Sequence, residues 1–401
     1  MQILQAFKFQ LIPKASTAAT MRRFAGCCRF LWNRALALEK ETYASEGKRL
    51  GYYKLAGLLK EWKREESTSF LAEVHSQVAQ QTLMDLDRSY KNFFEHRAAS
   101  PKFKKKGVHD SFRYPQGFKV DENNSRIFLP KIGWVRYRNS RTIIGTPKQI
   151  TVSLKAGKWY VSIQTEREIA DPVHPSTTAV GIDMGCVHFA TISDGTYIDP
   201  LNSFRKHEAK LVKLQRKLSK MQKFSNNWQK QKRKLQRHHR KIANVRNDFL
   251  HKLSTTISKN HAMAVMEDLQ VRNMSRSASG SIEQPGRNVR AKSMLNKSIL
   301  DQGWHEFRRQ LAYKLAWRGG MLLVIPPQYT SQTCSNCGCI DRNSRISQSV
   351  FRCTSCGFEI NADVNAALNI LAAGHAVSAC GAERAQAAAM NQESTYGIAA
   401  C

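Results

Sequence analysis

Negative charge is scarce in this sequence. Its 401 residues include 31 aspartates and glutamates against 63 lysines and arginines, which gives a formal net charge of +32. Such an excess of one sign repels itself in a compact fold unless a polyanion neutralises it, so nucleic acid is the expected partner. Hydrophobic residues make up 42% of the chain, which is enough for packed cores and excludes a disordered tail protein.

Long apolar runs are also missing. The sequence contains no stretch of about 18 apolar residues, the length needed to cross a bilayer, and this argues against a membrane partner. The first residues, MQILQAFKFQLIPKAS, lack the small-residue cleavage site of a signal peptide. We therefore predict a cytoplasmic protein, bound to the nucleoid when it is on DNA. No internal repeat is present, and the length predicts two to four domains.

Local patterns predict an α+β chain with several domains. AFKFQLIP alternates like a strand, and apolar positions recur at helical spacing from about Thr17 to Phe94. Short β-rich runs then follow between residues 111 and 166, typical of a small barrel or sandwich. The stretch ADPVHPSTT is predicted to be a linker.

The second half of the chain alternates strands and helices. VGIDMG, AMAVME and MLLVIPP are predicted strands, and a long basic helical region runs from Phe204 to about Lys259. The segment ILDQGWHEFRRQLAYKLAWRGG is predicted to form one amphipathic helix closed by glycines. The Ala-rich end of the chain, from about Gly374, carries no functional signal.

Four cysteines have the spacing of a zinc site. The pattern C-x2-C-x15-C-x2-C is formed by Cys334, Cys337, Cys353 and Cys356, and a glycine follows each pair directly. This spacing is typical of a tetrahedral site with four thiolates. Four protein ligands leave no open coordination position, so the predicted zinc is structural rather than catalytic.

Three acids lie at the ends of predicted elements. Asp183 interrupts the apolar strand VGIDMG, Glu267 ends AMAVME, and Asp363 opens the helix after the cysteine module. Each one alone fits a capping or turn residue. Together they fit a two-metal nuclease centre, in which carboxylates hold two cations about 4 Å apart for phosphodiester hydrolysis.

Neighbouring polar residues have simpler interpretations. Asp268 follows Glu267 on the strand and should point to the opposite face, so we interpret it as a strand-end residue. Asp194 lies in a hairpin turn, SDG. His188 is interpreted as structural, because a single histidine on a hairpin is rarely a catalytic base.

Several of these motifs resemble one known family. GIDMG, VMEDL, ILDQGWHEFRRQL, PPQYTSQTCSNCG, CTSCGFEINADVNAALNI and SFRYPQGFK are similar to motifs of TnpB, the transposon-encoded RNA-guided nuclease related to type V CRISPR effectors. The resemblance covers about residues 1–375, in the family's order. It implies that Asp183, Glu267 and Asp363 hold catalytic Mg²⁺. It also implies a transposon-derived guide RNA and target double-stranded DNA as partners.

The resemblance further implies a domain organisation. It comprises a wedge β-barrel (1–13 and 106–172), a helical recognition domain (14–105), an RNase H-like RuvC nuclease domain (173–330 and 359–375), a zinc-binding insert (331–358) and a C-terminal tail (376–401). The insert ends just before the last RuvC helix, which explains why a carboxylate follows the cysteines so closely.

The family often has Asp-x-Asp-x-Asn where this chain has Asn361-Ala362-Asp363-Val364-Asn365. The second acid is present and the first is replaced by Asn361. Two functions stay open at this point: an RNA-guided DNA endonuclease that cuts beside a short adjacent motif, and a catalytically silent RNA-guided or zinc-dependent DNA-binding repressor. Only the endonuclease needs the three carboxylates. A transposase that itself performs strand transfer has no support of its own in the sequence.

Residues 204–246 contain sixteen lysines and arginines and one acid, Glu208. We predict that this region, including Lys230, Lys232, Arg233 and Lys234, contacts nucleic-acid backbone; the alternative is a solvated helix face. Such contacts carry no sequence information.

Amides and hydroxyls can read base edges. The resemblance assigns contacts with the short duplex motif beside the target to two regions, one around Ser76, Gln77 and Gln80 and one around Tyr114 and Gln116. An ordinary polar helix face is the alternative for the first group.

Overall fold

The computed structural model describes residues 1–108 and 110–395, with side chains to residue 379. The chain forms two compact units, and the second begins at Asp171, within the segment predicted to be a linker. The last six residues of the predicted tail, 396–401, lie outside the described residues. Among the described residues, no helix combines the length and hydropathy needed to cross a bilayer.

The described residues of the first unit form seven strands and three α-helices. In chain order they are β1 Gln2–Ile12, α1 Ala15–Glu46, α2 Gly51–Arg64, α3 Ser76–Phe94, β2 Ser111–Tyr114, β3 Lys119–Asp121, β4 Arg126–Leu129, β5 Gly133–Tyr137, β6 Thr146–Lys155 and β7 Lys158–Glu168, with a 3₁₀ helix at Glu66–Glu73.

The strands of this unit pair antiparallel in the order β2-β6-β7-β1-β5-β4-β3. Strand β1 pairs with β7 along residues 2–10 and then with β5 at Leu11 and Ile12, so it joins the two halves of the sheet. Alternate residues of β7 are buried, as expected for a sheet with one face on a core. In the described residues the ladder is open at β2 and β3, so backbone pairing does not close the predicted barrel.

One hydrophobic core serves both the sheet and the helices of the first unit. It joins Phe9 and Val152 of the sheet to Met21, Leu55 and Leu83 of the three helices. The β-rich and helical segments that the sequence assigned to separate wedge and recognition domains therefore pack as one compact unit.

The second unit alternates strands and helices. Its elements are β8 Ala179–Met184, β9 Ala190–Ile192, β10 Tyr197–Ile198, α4 Ser203–Ser219, α5 Asn226–Asn260, β11 Met263–Glu267, α6 Val271–Met274, α7 Val289–Gln302, α8 Trp304–Ala316, β12 Met321–Ile325, β13 Val350–Arg352, β14 Glu359–Asn361 and α9 Ala362–Thr395, with a 3₁₀ turn at Arg342–Ser344.

A mixed five-stranded sheet organises this unit, in the order β10-β9-β8-β11-β12. Strands β8, β9 and β10 form an antiparallel meander, whereas β11 is parallel to both β8 and β12. On one side, Phe189 makes edge-to-face contacts with Phe249 of α5 and Phe307 of α8, with ring centroids 5.2 Å apart in each pair. Helix α9 packs against β8, β11 and β12.

The predicted single helix from Ile299 to Gly320 is wrong. Gly303 has a φ of 77°, in the left-handed region, and separates α7 from α8. Glycine adopts this conformation without the steric penalty of a side chain, so the chain turns there although the apolar spacing continues. The end of the chain also differs, because α9 continues past the predicted domain end at residue 375 to Thr395.

Close contact between β8 and α9 depends on Gly181. A methyl group at Gly181 would lie 2.1 Å from the carbonyl oxygen of Ala367. We predict that Gly181→Ala lowers the free energy of unfolding by about 1–3 kcal/mol or more, because the helix backbone would have to move. The free energy of unfolding is measured by denaturant titration, with circular dichroism as the signal.

Gly57→Ala is the matched control. Gly57 lies within α2, and no neighbouring atom lies near the methyl group that alanine would add. Alanine there should therefore raise the free energy of unfolding by about 0.4–1 kcal/mol. A Gly181→Ala protein as stable as the wild type would show that α9 is not held at this distance.

Candidate active site and metal centre

Two of the predicted acids lie at or next to the carboxyl ends of adjacent parallel strands: Asp183 is the penultimate residue of β8, and Glu267 is the last residue of β11. Ile182 of β8 is in register with Met266 of β11, and Asp183 and Glu267 each follow by one residue. Neighbouring strands lie about 4.8 Å apart, and residues in register on parallel strands point to the same face. The sheet therefore places both carboxylates side by side at the carboxyl ends of these two central strands.

The face that carries these acids is the one covered by α9. Gly181 lies against Ala367 of α9, and Gly374 of α9 lies against the side chain of Val265. Each acid is two residues beyond Gly181 or Val265 on its strand, and side chains two apart share a face. Both carboxylates thus point toward the beginning of α9.

The third predicted acid is in the first turn of α9. Asn361 precedes the helix, and its side-chain oxygen accepts hydrogen bonds from the N–H groups of Asp363, at 2.9 Å, and Val364, at 3.3 Å. Asn361 is therefore the N-cap. The interpretation of Asp363 as a mere capping residue is wrong, and its carboxylate is not needed to start the helix.

The charges of the three acids interact. Burial, followed by the charges of Glu267 and Asp363, raises the pKa of Asp183 from its ordinary 3.8 to about 7. Burial also raises the pKa of Glu267, against the hydrogen bond of 2.5 Å that Thr330 donates to it. Arg345 counteracts the shift at Asp183, and its guanidinium lies 3.5 Å from Asp363. The fold thus brings three acids close enough to interact, with the guanidinium of Arg345 beside them.

Two amide side chains, of the buried Asn365 and the half-buried Asn369, hold α9 in position. Asn365 donates to the carbonyl of Thr333 at 2.7 Å and accepts from the N–H of Ser335 at 3.0 Å. Asn369, one turn further along, donates to the carbonyls of Thr330 and Thr333 at 2.9 and 2.7 Å. The segment that supplies the hydroxyl to Glu267 is thus bonded directly to the helix that carries Asp363.

The four predicted zinc ligands meet. The sulfur atoms of Cys334, Cys337, Cys353 and Cys356 all lie within 4.8 Å of one another. In the part of the chain that the structure describes, the three carboxylates do not form an equally tight group. Two opposite S–S distances are 3.7 Å and 3.6 Å. Tetrahedral zinc with bonds of about 2.3 Å requires S–S edges of about 3.8 Å, so these cysteines fit the metal.

The two cysteine pairs form matching turns. In each turn, the N–H of the glycine after the pair donates to the carbonyl of the first cysteine. The N–H of that first cysteine donates to the carbonyl of the residue five positions later. Gly338 and Gly357 have φ values of 75° and 74°. A hydrogen bond from the N–H of Cys356 is the main reason that the pKa of the Cys353 thiol falls to about 6, which favours the thiolate that metals bind.

A cavity of about 340 Å³ opens beside Glu267. Its lining includes Asp268, Arg272, Trp304 and Arg308. Asp268 was expected to face away from Glu267, yet both line this cavity because β11 ends there. The carboxylate of Asp268 accepts from Arg308 at 2.5 Å, so it belongs to an ion pair in the cavity wall.

Other polar residues have structural roles. Asp301 accepts from the Ser203 hydroxyl and the Phe204 N–H at the start of α4, and pairs with Arg246 at 3.5 Å. His188 lies 3.5 Å from Asp199 on the β9–β10 side of the sheet. Neither joins the carboxylate cluster.

One predicted base contact is wrong. Tyr114 is 0% exposed, and its hydroxyl donates to the carbonyl of Pro130 at 2.8 Å, so it belongs to the core of the first unit. The strand pattern placed it at the β2 edge but could not show on which face. Gln116, Ser76 and Gln80 are exposed, and Gln77 is half-buried.

The predicted backbone contacts lie on α5. Lys230, Lys232, Arg233 and Lys234 are all exposed there. The buried positions of this helix are fewer and include His238 and Ile242. These four side chains are therefore accessible to an anionic partner.

Sequence reasoning missed the supporting residues. Arg345 and Thr330 lie in irregular polar segments, and their sequence positions give no indication that they approach the acids. Asn365 and Asn369 did leave a signal, because their spacing of four puts both amides on one face of a stretch, Val364 to Ala373, that is otherwise apolar.

The raised pKa of Asp183 predicts a pH-dependent stability. An acid whose pKa rises on folding destabilises the native state as pH increases from the unfolded value, 3.8, through the folded value, about 7. We expect Asp183→Asn to melt at a higher temperature than the wild type at pH 8, in buffer without added divalent cations or chelator. The difference should shrink at pH 5. An equal difference at both pH values, or a lower melting temperature at pH 8, would contradict this.

Three family models match separate parts of the chain. A model described as "Probable transposase", OrfB of IS605, matches residues 160–278. A "Cas12f1-like, TNB domain" model matches residues 304–370, and a "Helix-turn-helix domain" model of the same OrfB group matches residues 1–48. Residues 1–48 fold here as β1 followed by the single helix α1.

Curated relatives match along the whole length. The "Putative RNA-guided DNA endonuclease InsQ" of Escherichia coli K12 is 59% identical over 400 residues, covering 100% of both chains. A "Putative RNA-guided DNA endonuclease" of Streptomyces pristinaespiralis is 36% identical over 385 residues, covering 95% of this chain and 92% of the relative.

The fold is shared with a solved structure of a Cas12f1–sgRNA–target DNA complex. The TM-score is 0.57 at 13% identity, and the match covers 92% of this chain and 98% of the other. At this identity the likeness concerns the fold alone. The full-length relatives establish the family: the chain belongs to TnpB, the transposon-encoded OrfB group.

Proposed function

We propose that this chain is an RNA-guided DNA endonuclease encoded by a transposon, and that it hydrolyses DNA at Asp183, Glu267 and Asp363. The observation that carries the proposal is the convergence of these acids from β8, β11 and α9, where burial and then the charges of the other two acids raise the pKa of Asp183. The full-length relatives bear the endonuclease name. A silent repressor would have no use for this cluster, whose mutual repulsion disfavours the native state.

The donor set suits Mg²⁺. All three groups are carboxylates, the hard oxygen ligands that Mg²⁺ prefers, and they share a site in which their charges repel one another. When bound there, Mg²⁺ would activate water and stabilise the negative charge of phosphodiester hydrolysis. Adjacent acids with raised pKa values are typical of sites that exchange protons for a cation.

The surrounding residues orient these acids. The Thr330 hydroxyl occupies one oxygen of Glu267, which fixes the carboxylate and leaves its other oxygen available. Asn361 caps α9, so the carboxylate of Asp363 is free of backbone bonding. Arg345 lies beside Asp363 and offers N–H donors to a phosphate that approaches the cluster.

We further propose that the four cysteines hold one structural zinc ion. Thiolates at tetrahedral spacing suit zinc, and residues 338–352 between the two pairs have only a small core around Phe351. The module keeps the segment around Thr333 and Ser335 in place, and α9 is bonded to that segment. The zinc site thereby supports the position of Asp363 without touching the substrate.

Nucleic-acid partners are proposed for the basic and polar surfaces. The basic face of α5 would contact the backbone of guide RNA or of the RNA–DNA duplex. Ser76, Gln77, Gln80 and Gln116 would contact the short duplex motif beside the target. Target choice would come from base pairing with the guide, as in related RNA-guided systems. The domain boundaries given by the family resemblance are proposed with the same function.

The proposed zinc site predicts the effect of Cys353→Ser. Loss of one thiolate should reduce zinc below stoichiometry and lower the melting temperature, because a closed site contributes folding free energy. Metal analysis and thermal unfolding measure both effects. Cys186→Ser is the control, since Cys186 lies apart from the cluster and should leave zinc content unchanged. Stoichiometric zinc in Cys353→Ser would remove Cys353 from the ligand set.

The proposed chemistry predicts the effect of Asp363→Asn. Asparagine preserves size and hydrogen bonding but is a poor ligand for Mg²⁺, so cleavage should fall by about 10²- to 10³-fold. Because Asn361 caps the helix, folding should be unchanged. The RNA that copurifies with the protein is sequenced to define the guide, and cleavage of matching DNA is then measured with Mg²⁺.

Asp194→Asn is the control for this experiment. Asp194 accepts the N–H of Thr196 in a hairpin turn, and asparagine can do the same, so cleavage should be normal. Binding of guided target DNA should be retained by both variants. Near-normal cutting by Asp363→Asn would remove this acid from the active site, and no cutting by the wild type with its copurified RNA would overturn the endonuclease function.

A further inference from the structure

The turn between α4 and α5 presents an exposed aromatic ring. Phe224 is 78% exposed, and its φ of 69° lies in the left-handed region, which large side chains rarely adopt. Its carbonyl accepts a hydrogen bond of 3.1 Å from the side chain of Gln229. This bond constrains the backbone at Phe224 in its unfavourable conformation, while the ring itself is exposed.

A second aromatic ring stands beside it. The ring centroid of Trp228 is 5.6 Å from that of Phe224, at an interplanar angle of 51°. The ammonium group of Lys232 lies 4.8 Å from the Trp228 ring centroid, within cation–π range. Ser225 caps α5 by accepting the N–H of Trp228 at 3.2 Å. These contacts fix Trp228, whereas Phe224 remains open to a partner.

The two helices below the turn are braced against one another. The side chain of Gln231 donates to the carbonyl of Leu214 at 3.1 Å, and Leu211 and Ile242 are buried between the helices. The aromatic pair therefore sits at the end of a rigid support. Aromatic groups held in this way bind with little loss of conformational freedom.

The surroundings of the turn are cationic. Lys220, Lys223 and Lys230 are exposed on either side of it. An apolar protein partner would gain nothing from these lysines. Nucleic acid matches both features, since phosphates pair with lysines while the faces of the bases stack on aromatic rings.

We propose that Phe224 is a stacking site for a nucleobase, in a single-stranded segment or at the open end of a duplex, with the flanking lysines on the adjacent phosphates. This inference rests on the proposed function, which supplies RNA and DNA as ligands, and it adds a contact that is not electrostatic. Stacking tolerates every base, so the site selects strand structure rather than sequence.

The test separates bases from phosphates. Binding of the full-length protein is measured by fluorescence anisotropy over a range of salt concentrations. The probes are an oligouridine RNA, an oligothymidine DNA and an abasic DNA strand, all of equal length. The variants are Phe224→Ala, Phe224→Leu, which is apolar without an aromatic face, and Phe224→Tyr. Lys223→Gln with Lys230→Gln serves as the charge control.

Phe224→Ala and Phe224→Leu should weaken binding of the base-containing strands by about 5- to 100-fold, the range of base–aromatic stacking, and leave abasic binding unchanged. Phe224→Tyr should bind like the wild type. The salt dependence of binding should be the same in all three Phe224 variants as in the wild type, whereas the lysine control should have a weaker salt dependence for every probe. The probe whose binding is weakened more by these substitutions, RNA or DNA, identifies the natural ligand.

Equal losses on abasic and base-containing strands would overturn the stacking role, as would a Phe224→Leu protein that binds like the wild type. Unchanged binding by Phe224→Ala would remove the stacking site and leave the proposed function standing. A wild-type protein that binds none of the strands would remove both.

Discussion

Two amide side chains on α9, the buried Asn365 and the half-buried Asn369, make the contact on which the candidate site depends. Asn365 and Asn369 bond to the chain around Thr330 and Thr333, and an unsatisfied buried amide or carbonyl would cost about 1–3 kcal/mol. That same segment leads into the first cysteine turn and supplies the hydroxyl bonded to Glu267. One short stretch of chain therefore connects the cysteine cluster, the end of β11 and the start of α9. This is the structural reason why a cysteine module lies next to a carboxylate in the sequence.

The carboxylate cluster opposes folding, and other features compensate. The partial burial of Asp183 beside two further acids makes the native state less stable at neutral pH. Three features stabilise the sheet or the helix that carries the acids. They are the aromatic core around Phe189, the tight packing of α9 at Gly181 and the cysteine cluster. A site that holds like charges together needs such a frame, because each acid would otherwise move away from its neighbours.

The sequence allowed prediction where a local pattern determines the structure. The strands that carry Asp183 and Glu267 follow from apolar runs with an acid near the end of each, and the paired cysteine turns follow from their fixed spacing. Prediction failed where the answer depends on which face or partner a residue meets. Tyr114 continues a strand pattern but is buried, Gly303 interrupts a continuous helical pattern, and Arg345 reaches Asp363 from an irregular segment. Periodicity gives no information about such tertiary contacts.

In the proposed function, the charge distribution of the second unit separates nucleic-acid binding from bond cleavage. Sixteen basic residues lie in 204–246, whereas three acids meet at the sheet edge. The basic helices attract phosphates with no further requirement, but the acid cluster repels them until cations offset its charge. In the proposed function, the free energy of strand binding thus comes from the helices and that of bond cleavage from the cations held by the acids. Binding should then depend on monovalent salt and cleavage on divalent cations, so a chain could lose either capacity and keep the other.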